Sequence, residues 1–347
     1  MRPQRVKYVQ LSFAVNINCY KYKQPHLEKD LTDLSLVQFI TCFVKLKMHK
    51  LTVTEALKGH IQTILPYLFR KVKLPLSEQI EIPLPDGDFV DAEYWKGSGN
   101  GLAILSHGLE GNSKAVYIRA LCKSYLSQGW DVLIWNFRAC SGRMNRSLRL
   151  YHSGAYEDLQ SVVEFASIQF TPQKIRLAGF SLGGNLTLVF VGKMEKTWLE
   201  KMKIEKALAI SPPLNLAACS MKLDTIWNRP YRFNFLRALK NKIRSKAQQF
   251  PLEIDLRNLE TCATIFDFDD HFTAPLHGFK GAEEYYQKCS SLYFLPDISI
   301  PTLIIIAKND PMLARGNYEN LENMNPQVTV RILESGGHCG FWGMGIY

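Results

Sequence analysis

From residue 78 onward the chain alternates short apolar runs with stretches of helical period. "QIEIPL" (Gln79–Leu84) and "FVDAEYW" (Phe89–Trp95) flank Pro85-Asp86-Gly87, a turn signal, and are predicted to pair as an antiparallel hairpin. Further apolar runs follow at Leu102–Gly108, Asp131–Phe137, Ile175–Phe180, Ala207–Ser211, Thr302–Asp310 and Val328–Leu333. Helical periodicity fills most of the gaps, over Val116–Gln128, Tyr156–Gln169 and Leu182–Lys193. Strands that are apolar on both faces and alternate with helices predict an α/β class, a mostly parallel central sheet with helices on both faces. In such sheets functional residues gather at the carboxyl ends of the strands.

One interval breaks the rhythm. Ser211 and Thr302 are separated by about ninety residues, far more than a simple crossover needs. Inside it Leu236, Leu239, Ile243, Ala247 and Phe250 fall on one helical stripe, so the interval is expected to form a largely helical cap, about residues 214–298, over the active edge of the sheet. The organisation expected is an N-terminal extension over 1–57, of no assigned role, followed by one α/β domain over 58–347.

Candidate chemistry sits on the strand ends. Gly179-Phe180-Ser181-Leu182-Gly183 places a serine between a strand and a helix, with small residues two positions before and after it. A serine forced into a strained turn needs such neighbours to let strand and helix close around it, so Ser181 is a candidate nucleophile. The bland alternative is an ordinary glycine-rich strand–helix turn. An orienting acid is expected just past a later strand, where Asp310 ends "IIIAKNDP"; the alternative is a turn aspartate. A base is expected in the loop after the next strand, where His338 follows Gly336-Gly337. Serine, acid and histidine then occur in the order that serves acyl transfer on a doubly covered sheet. The N–H of Leu182 and that of Leu109, in "SHGLEGNS", are the candidate oxyanion donors. His107, next to that loop, is read as structural.

Composition narrows the class further. At 347 residues, 46% apolar and 21% charged, the chain is long enough for a large core and too apolar for a disordered segment. Its net charge of +10 is concentrated in two places. Residues 1–50 hold nine basic residues against three acidic ones, and 225–250 hold seven basic residues and no acid. The remainder is slightly acidic, which argues against a nucleic-acid partner. The second run is read as the solvated face of the cap helix, with contact to an anionic membrane or to the phosphates of CoA as the sharper alternative. Eight scattered cysteines without metal spacing read as buried thiols of a reducing compartment, so a cytoplasmic location is expected. Leu34–Leu46 is too short to span a bilayer; together with the basic start it leaves peripheral membrane contact open. Asp267, Asp269, Asp270 and His271 resemble a metal cluster only by crowding and are read as cap anchors.

HGLEG, NFRACSG (Asn136–Gly142), YHSG (Tyr151–Gly154), GFSLGGN, FDFDDHFTAPLHGF (Phe266–Phe279), AKNDP and GGHCGF together resemble the YheT-like branch of the α/β-hydrolases, from about residue 58 to 342. The resemblance implies a carboxylesterase for short- or medium-chain acyl esters that works through Ser181, Asp310 and His338 and needs no cofactor or metal. Some relatives transfer acyl groups from CoA to alcohols, and a non-catalytic hydrolase fold is the rival from another class. Two departures stand out. Residues 1–47 match nothing in the family, and the chain stops at Tyr347, whereas relatives continue into a final helix over one sheet face. Exposed apolar surface beside the strand before His338, a stability deficit and a mobile His338 are therefore expected.

Overall fold

The computed structural model describes residues 55–317, 319, 321 and 324–341. Helix α1 (Glu55–Phe69) leads into the hairpin β1 (Glu78–Pro83) and β2 (Phe89–Trp95). Then come β3 (Leu102–Ser106), α2 (Val116–Ser127), β4 (Asp131–Trp135), α3 (Tyr156–Phe170), β5 (Ile175–Phe180), α4 (Leu182–Lys193), α5 (Lys196–Lys201) and β6 (Ile204–Ile210). Between β6 and the final strands β7 (Thr302–Ala307) and β8 (Val328–Leu333) the chain is helical. It runs through α6 (Leu216–Leu223), α7 (Arg229–Gln249), α8 (Ile265–Phe268), a π-helical turn over Asp269–Thr273, α9 (Ala274–Leu276) and α10 (Ala282–Cys289).

The eight strands form one sheet in the order β1-β2-β4-β3-β5-β6-β7-β8. β2 pairs antiparallel with β1 and with β4, and every other pairing is parallel. The side-chain period of two explains why these runs had to be apolar throughout. Leu102 and Ile104 of β3, Ile175 and Leu177 of β5, and Ile304 and Ile306 of β7 face one core. Their neighbours Ala103, Leu105, Ala178, Phe180, Ile305 and Ala307 face the other. β5 lies at the centre, so the helix after it is enclosed on all sides, and ten of the twelve residues of α4 are buried.

A charge cluster locks the antiparallel end. Arg138, 2% exposed, holds Asp158 with two bonds of 2.7–2.8 Å and reaches Asp88 at 2.7 Å and Asp86 at 2.8 Å. The β1–β2 turn, the loop after β4 and α3 thereby share one cation. Although burial opposes ionisation of Asp88, hydrogen bonds from Asn145, Ser147 and backbone N–H groups hold its pKa well below the ordinary carboxylate range.

The helices between β6 and β7 have a core of their own, in which Leu236, Ile243 and Ala247 of α7 meet Ile254, Phe268 and Phe272. The basic residues of α7 are only partly a solvated face. Lys246 is fully buried and donates to the carbonyls of Asn145 and Ser147 at 2.7 and 2.9 Å; burial draws its pKa down to about 8. Lys242 turns inward to Glu110, 2.7 Å away. Long aliphatic stems next to the apolar stripe carry both ammonium groups to inner acceptors. The six described cysteines are free and buried. Among the described residues no helix is long and apolar enough to cross a membrane. β8 ends the sheet with Thr329, Arg331 and Ile332 exposed. The basic and apolar N-terminal segments expected to matter for membranes, Cys19, Cys42 and the chain after Phe341 lie outside the described residues.

Candidate active site

Ser181 directly follows β5 and caps α4 with φ 51° and ψ −121°, a conformation that an L-residue adopts only when its surroundings impose it. The flanking glycines show what imposes it. A Cβ on Gly179 would lie 2.0 Å from the Gly183 carbonyl oxygen, and one on Gly183 would lie 2.3 Å from that of His107. Strand, helix and the neighbouring loop can close on this turn only with no side chain at either position. Glu110, Ala139 and Ser211, on the loops after β3, β4 and β6, share positive φ values of 53°, 58° and 49°. Four adjacent parallel strands, β3 to β6, thus each carry a strained residue beyond their carboxyl ends, while Thr171 and Lys203 share the feature at the opposite edge.

The three residues singled out in the sequence meet there. His338 Nε2 lies 2.9 Å from Ser181 Oγ, and His338 Nδ1 lies 2.8 Å from Asp310 Oδ2. Asp310 Oδ1 also accepts from the N–H groups of Met312 at 2.9 Å and Leu313 at 3.3 Å, which fixes the carboxylate plane. Burial alone would press the His338 pKa down; the adjacent Asp310 carboxylate outweighs it and holds the imidazole well above its ordinary 6.5.

The His338 loop is tied rather than hanging free, by residues that sequence reading did not single out. Thr63 Oγ1 of α1 accepts from the His338 N–H at 2.8 Å. Gln62 Oε1 and Asn309 Oδ1 both accept from the Gly336 N–H, and Asn309 also takes that of Gly337. Ser211 Oγ accepts from Cys339. The available signal was a polar Gln62-Thr63 pair set between Ile61 and Ile64-Leu65 of the helix.

The loop after β3 supplies the other candidate donors. Among the described residues neither the Leu109 nor the Leu182 N–H has an acceptor; that of Leu182 lies in the first turn of α4, where no intrahelical partner exists. A Cβ on Gly108 would lie 3.1 Å from Ser181 Cβ, which shows how closely this loop passes the serine. Glu110 clamps it. Tyr151 donates its hydroxyl to Glu110 Oε1 at 2.6 Å and accepts the Glu110 N–H at 3.0 Å, while Lys242 reaches Oε1 from the cap. His107 is fully buried and accepts the Phe137 N–H on Nε2, so its imidazole braces two loops; burial lowers its pKa to about 3.

A cavity of about 110 Å³ opens on Ser181 and His338. Leu109, Leu182, Leu216, Leu239, Ile265 and Leu313 give it apolar walls, and Asp269, Thr273 and Tyr286 form a polar end under the cap. The acidic residues near that end are structural anchors. Asp267 closes a capping box with Thr264, Asp270 accepts the Ala282 N–H, and Asp269 accepts hydroxyls from Thr273 and Tyr286.

Comparison with known proteins agrees with this architecture. A family model described as the alpha/beta hydrolase fold matches residues 104–343. A putative esterase YheT of Escherichia coli is 36% identical over 292 residues, covering 82% of this chain and 84% of that protein. A monoacylglycerol lipase of Saccharomyces cerevisiae is 28% identical over 250 residues, 70% of this chain but only 55% of the lipase, so the chain spans about half its length. Among solved structures, the Pyrococcus furiosus esterase Pf2001 superposes with a TM-score of 0.50 at 17% identity, over 78% of this chain and 89% of that one.

Proposed function

This chain belongs to the YheT-like α/β-hydrolases, and from that premise we propose that it is a serine carboxylesterase acting on short- to medium-chain acyl esters. The observation that carries the reading is the contact of His338 with Ser181 Oγ on one side and Asp310 on the other, at a strained turn facing an apolar cavity. In the proposed mechanism His338 Nε2 takes the Ser181 proton as Oγ attacks the ester carbonyl. Asp310 keeps the Nδ1 proton in place and stabilises the imidazolium that forms. The Leu109 and Leu182 N–H groups receive the oxyanion, where one well-placed donor is worth about 3–4 kcal/mol. His338 returns its proton to the departing alkoxide, the alcohol leaves, and water repeats the sequence on the acyl-enzyme to release the acid.

The apolar side chains around Ser181 favour an uncharged acyl ester as the substrate. Hydrolysis of p-nitrophenyl acetate, butyrate and octanoate by the chain and by Ser181→Ala tests both parts of the proposal. Turnover that vanishes in the variant is the expected result, together with fluorophosphonate labelling of the parent alone, and the chain-length profile sizes the acyl pocket. Folded protein that neither turns over an ester nor takes the label would sink the reading.

A further inference from the structure

The polar end of the cavity is not used by the mechanism above, and it is built around one carboxylate. Asp269 is 8% exposed and lines the same cavity as Ser181 and His338. Its Oδ1 accepts the Thr273 hydroxyl at 2.6 Å and its Oδ2 the Tyr286 hydroxyl at 2.7 Å; Tyr286 in turn lies 3.1 Å from Ser220 Oγ. A carboxylate offers about four acceptor positions, so these two bonds orient the group and leave acceptor capacity over. Among the described residues no cation lies within ion-pair distance of it. The charge that acts on it is that of another carboxylate, Asp224, which opposes its ionisation.

The backbone is also unusual here. Asp269 and Thr273 bound a π-helical turn between α8 and α9, so that a widened turn brings the two side chains together at the cavity wall. Such turns recur at functional sites. A purely anchoring carboxylate would serve equally well away from the cavity; this one lies in its wall.

We propose that Asp269 receives a hydroxyl group carried by the ester, so that this enzyme selects hydroxyl-bearing esters over their deoxy counterparts. The inference rests on the esterase reading for its substrate class. A neutral hydroxyl fits better than an ammonium group, because the cavity that Asp269 shares with Ser181 is lined largely by apolar side chains, Leu216, Leu239 and Ile265 among them, where a full charge would lose its water. A site built to bond a substrate hydroxyl discriminates against the analogue that lacks it, since its own polar group is then left without that partner.

The test measures binding, so it does not depend on turnover. Full-length Ser181→Ala is titrated by ligand-observed NMR with two matched pairs. Propyl butyrate against 3-hydroxypropyl butyrate places the hydroxyl on the alcohol side, and methyl pentanoate against methyl 5-hydroxypentanoate places it on the acyl side. The hydroxyl member of one pair is expected to bind about tenfold tighter, and the responding pair identifies which half of the ester faces the cap. Adding Asp269→Leu is expected to shrink that preference to about twofold or less while the deoxy ester binds as before. Equal binding within both pairs, binding of no ester, or a preference that survives loss of Asp269 would each overturn the proposal. If the double variant does not fold, Asp269→Ala in the Ser181→Ala background takes its place, and a hydroxyl preference that survives there overturns the proposal. The esterase reading stands or falls separately, on release of propanol from propyl butyrate by the parent chain.

Discussion

Two carboxylates line one small region, and they are treated in opposite ways. Asp310, at the end of β7, faces the His338 imidazole at 2.8 Å and two backbone N–H groups. Asp269, under the cap, is equally buried but has only two neutral hydroxyls. A charge taken out of water is tolerated when an opposite charge or several donors replace the water. Asp310 meets that condition and imposes itself on its partner, raising the His338 pKa. Asp269 does not, and burial lifts its own pKa from 3.8 to about 6. One carboxylate is committed to an internal partner; the other is left with capacity to spare.

The largest effect is expected where the charge is committed. Asp310→Asn keeps an acceptor for the Met312 N–H but removes the charge that holds the imidazole, so kcat for an acetate ester should fall by about ten-thousand-fold with the protein still folded. The pH profile adds a second readout. Because the folded His338 pKa lies above 6.5 and the base works only when neutral, activity of the parent should rise with pH along a limb centred above 6.5. In Asp310→Asn what activity remains should rise along a limb shifted to lower pH. A limb that stays in place would show that Asp310 does not set the base.

Glu110 sharpens the contrast as a half-buried carboxylate, paired this time with a lysine from the cap. Lys242→Met leaves Glu110 without its cation beside the candidate oxyanion donor, so a loss of about 3–5 kcal/mol in unfolding free energy is expected. Activity should fall as well, through displacement of Leu109, with kcat affected more than KM. Chemical denaturation together with steady-state kinetics checks both. A variant as stable as the parent would mean that Tyr151 alone holds the loop.

These cases also show where the sequence was legible. The strands could be read because a sheet covered on both faces demands unbroken apolar runs, and the serine turn because Gly179 and Gly183 sit where the backbones nearly touch. Asp310 and His338 could be placed because each follows a strand that ends on the same edge. The partners of the His338 loop could not, since Thr63 and His338 are 275 residues apart and nothing local in either announces the other. The cationic run of α7 misled for a different reason. Lys242 and Lys246 are four residues apart on a helix that also carries the apolar stripe, and composition alone does not show which way a long stem turns. Asp269 was legible as an anchor and is one; that the same carboxylate lines the cavity depends on a π-helical turn that has no sequence signature.

The smallest effect has the opposite sign. In the unfolded chain Asp269 should titrate near the ordinary 3.8, whereas in the folded protein it titrates at about 6. Between those values the folded state holds the extra proton, so unfolding free energy should fall as pH rises through that window. Above it the ionised group costs at most about 3 kcal/mol. Asp269→Asn preserves the shape and one acceptor while removing the titration, so it should melt higher than the parent at pH 8 and close to it at pH 4. A gain of about 1–2 kcal/mol, or a few degrees, is reasonable once weaker bonds to Tyr286 and Thr273 are allowed for. Thermal melts of both proteins across that range decide the matter. If the difference between them does not grow with pH, Asp269 is compensated in the folded state and the contrast with Asp310 disappears. If it does grow, the cap retains a group that lowers stability, as is expected of a residue kept for a ligand rather than for the fold.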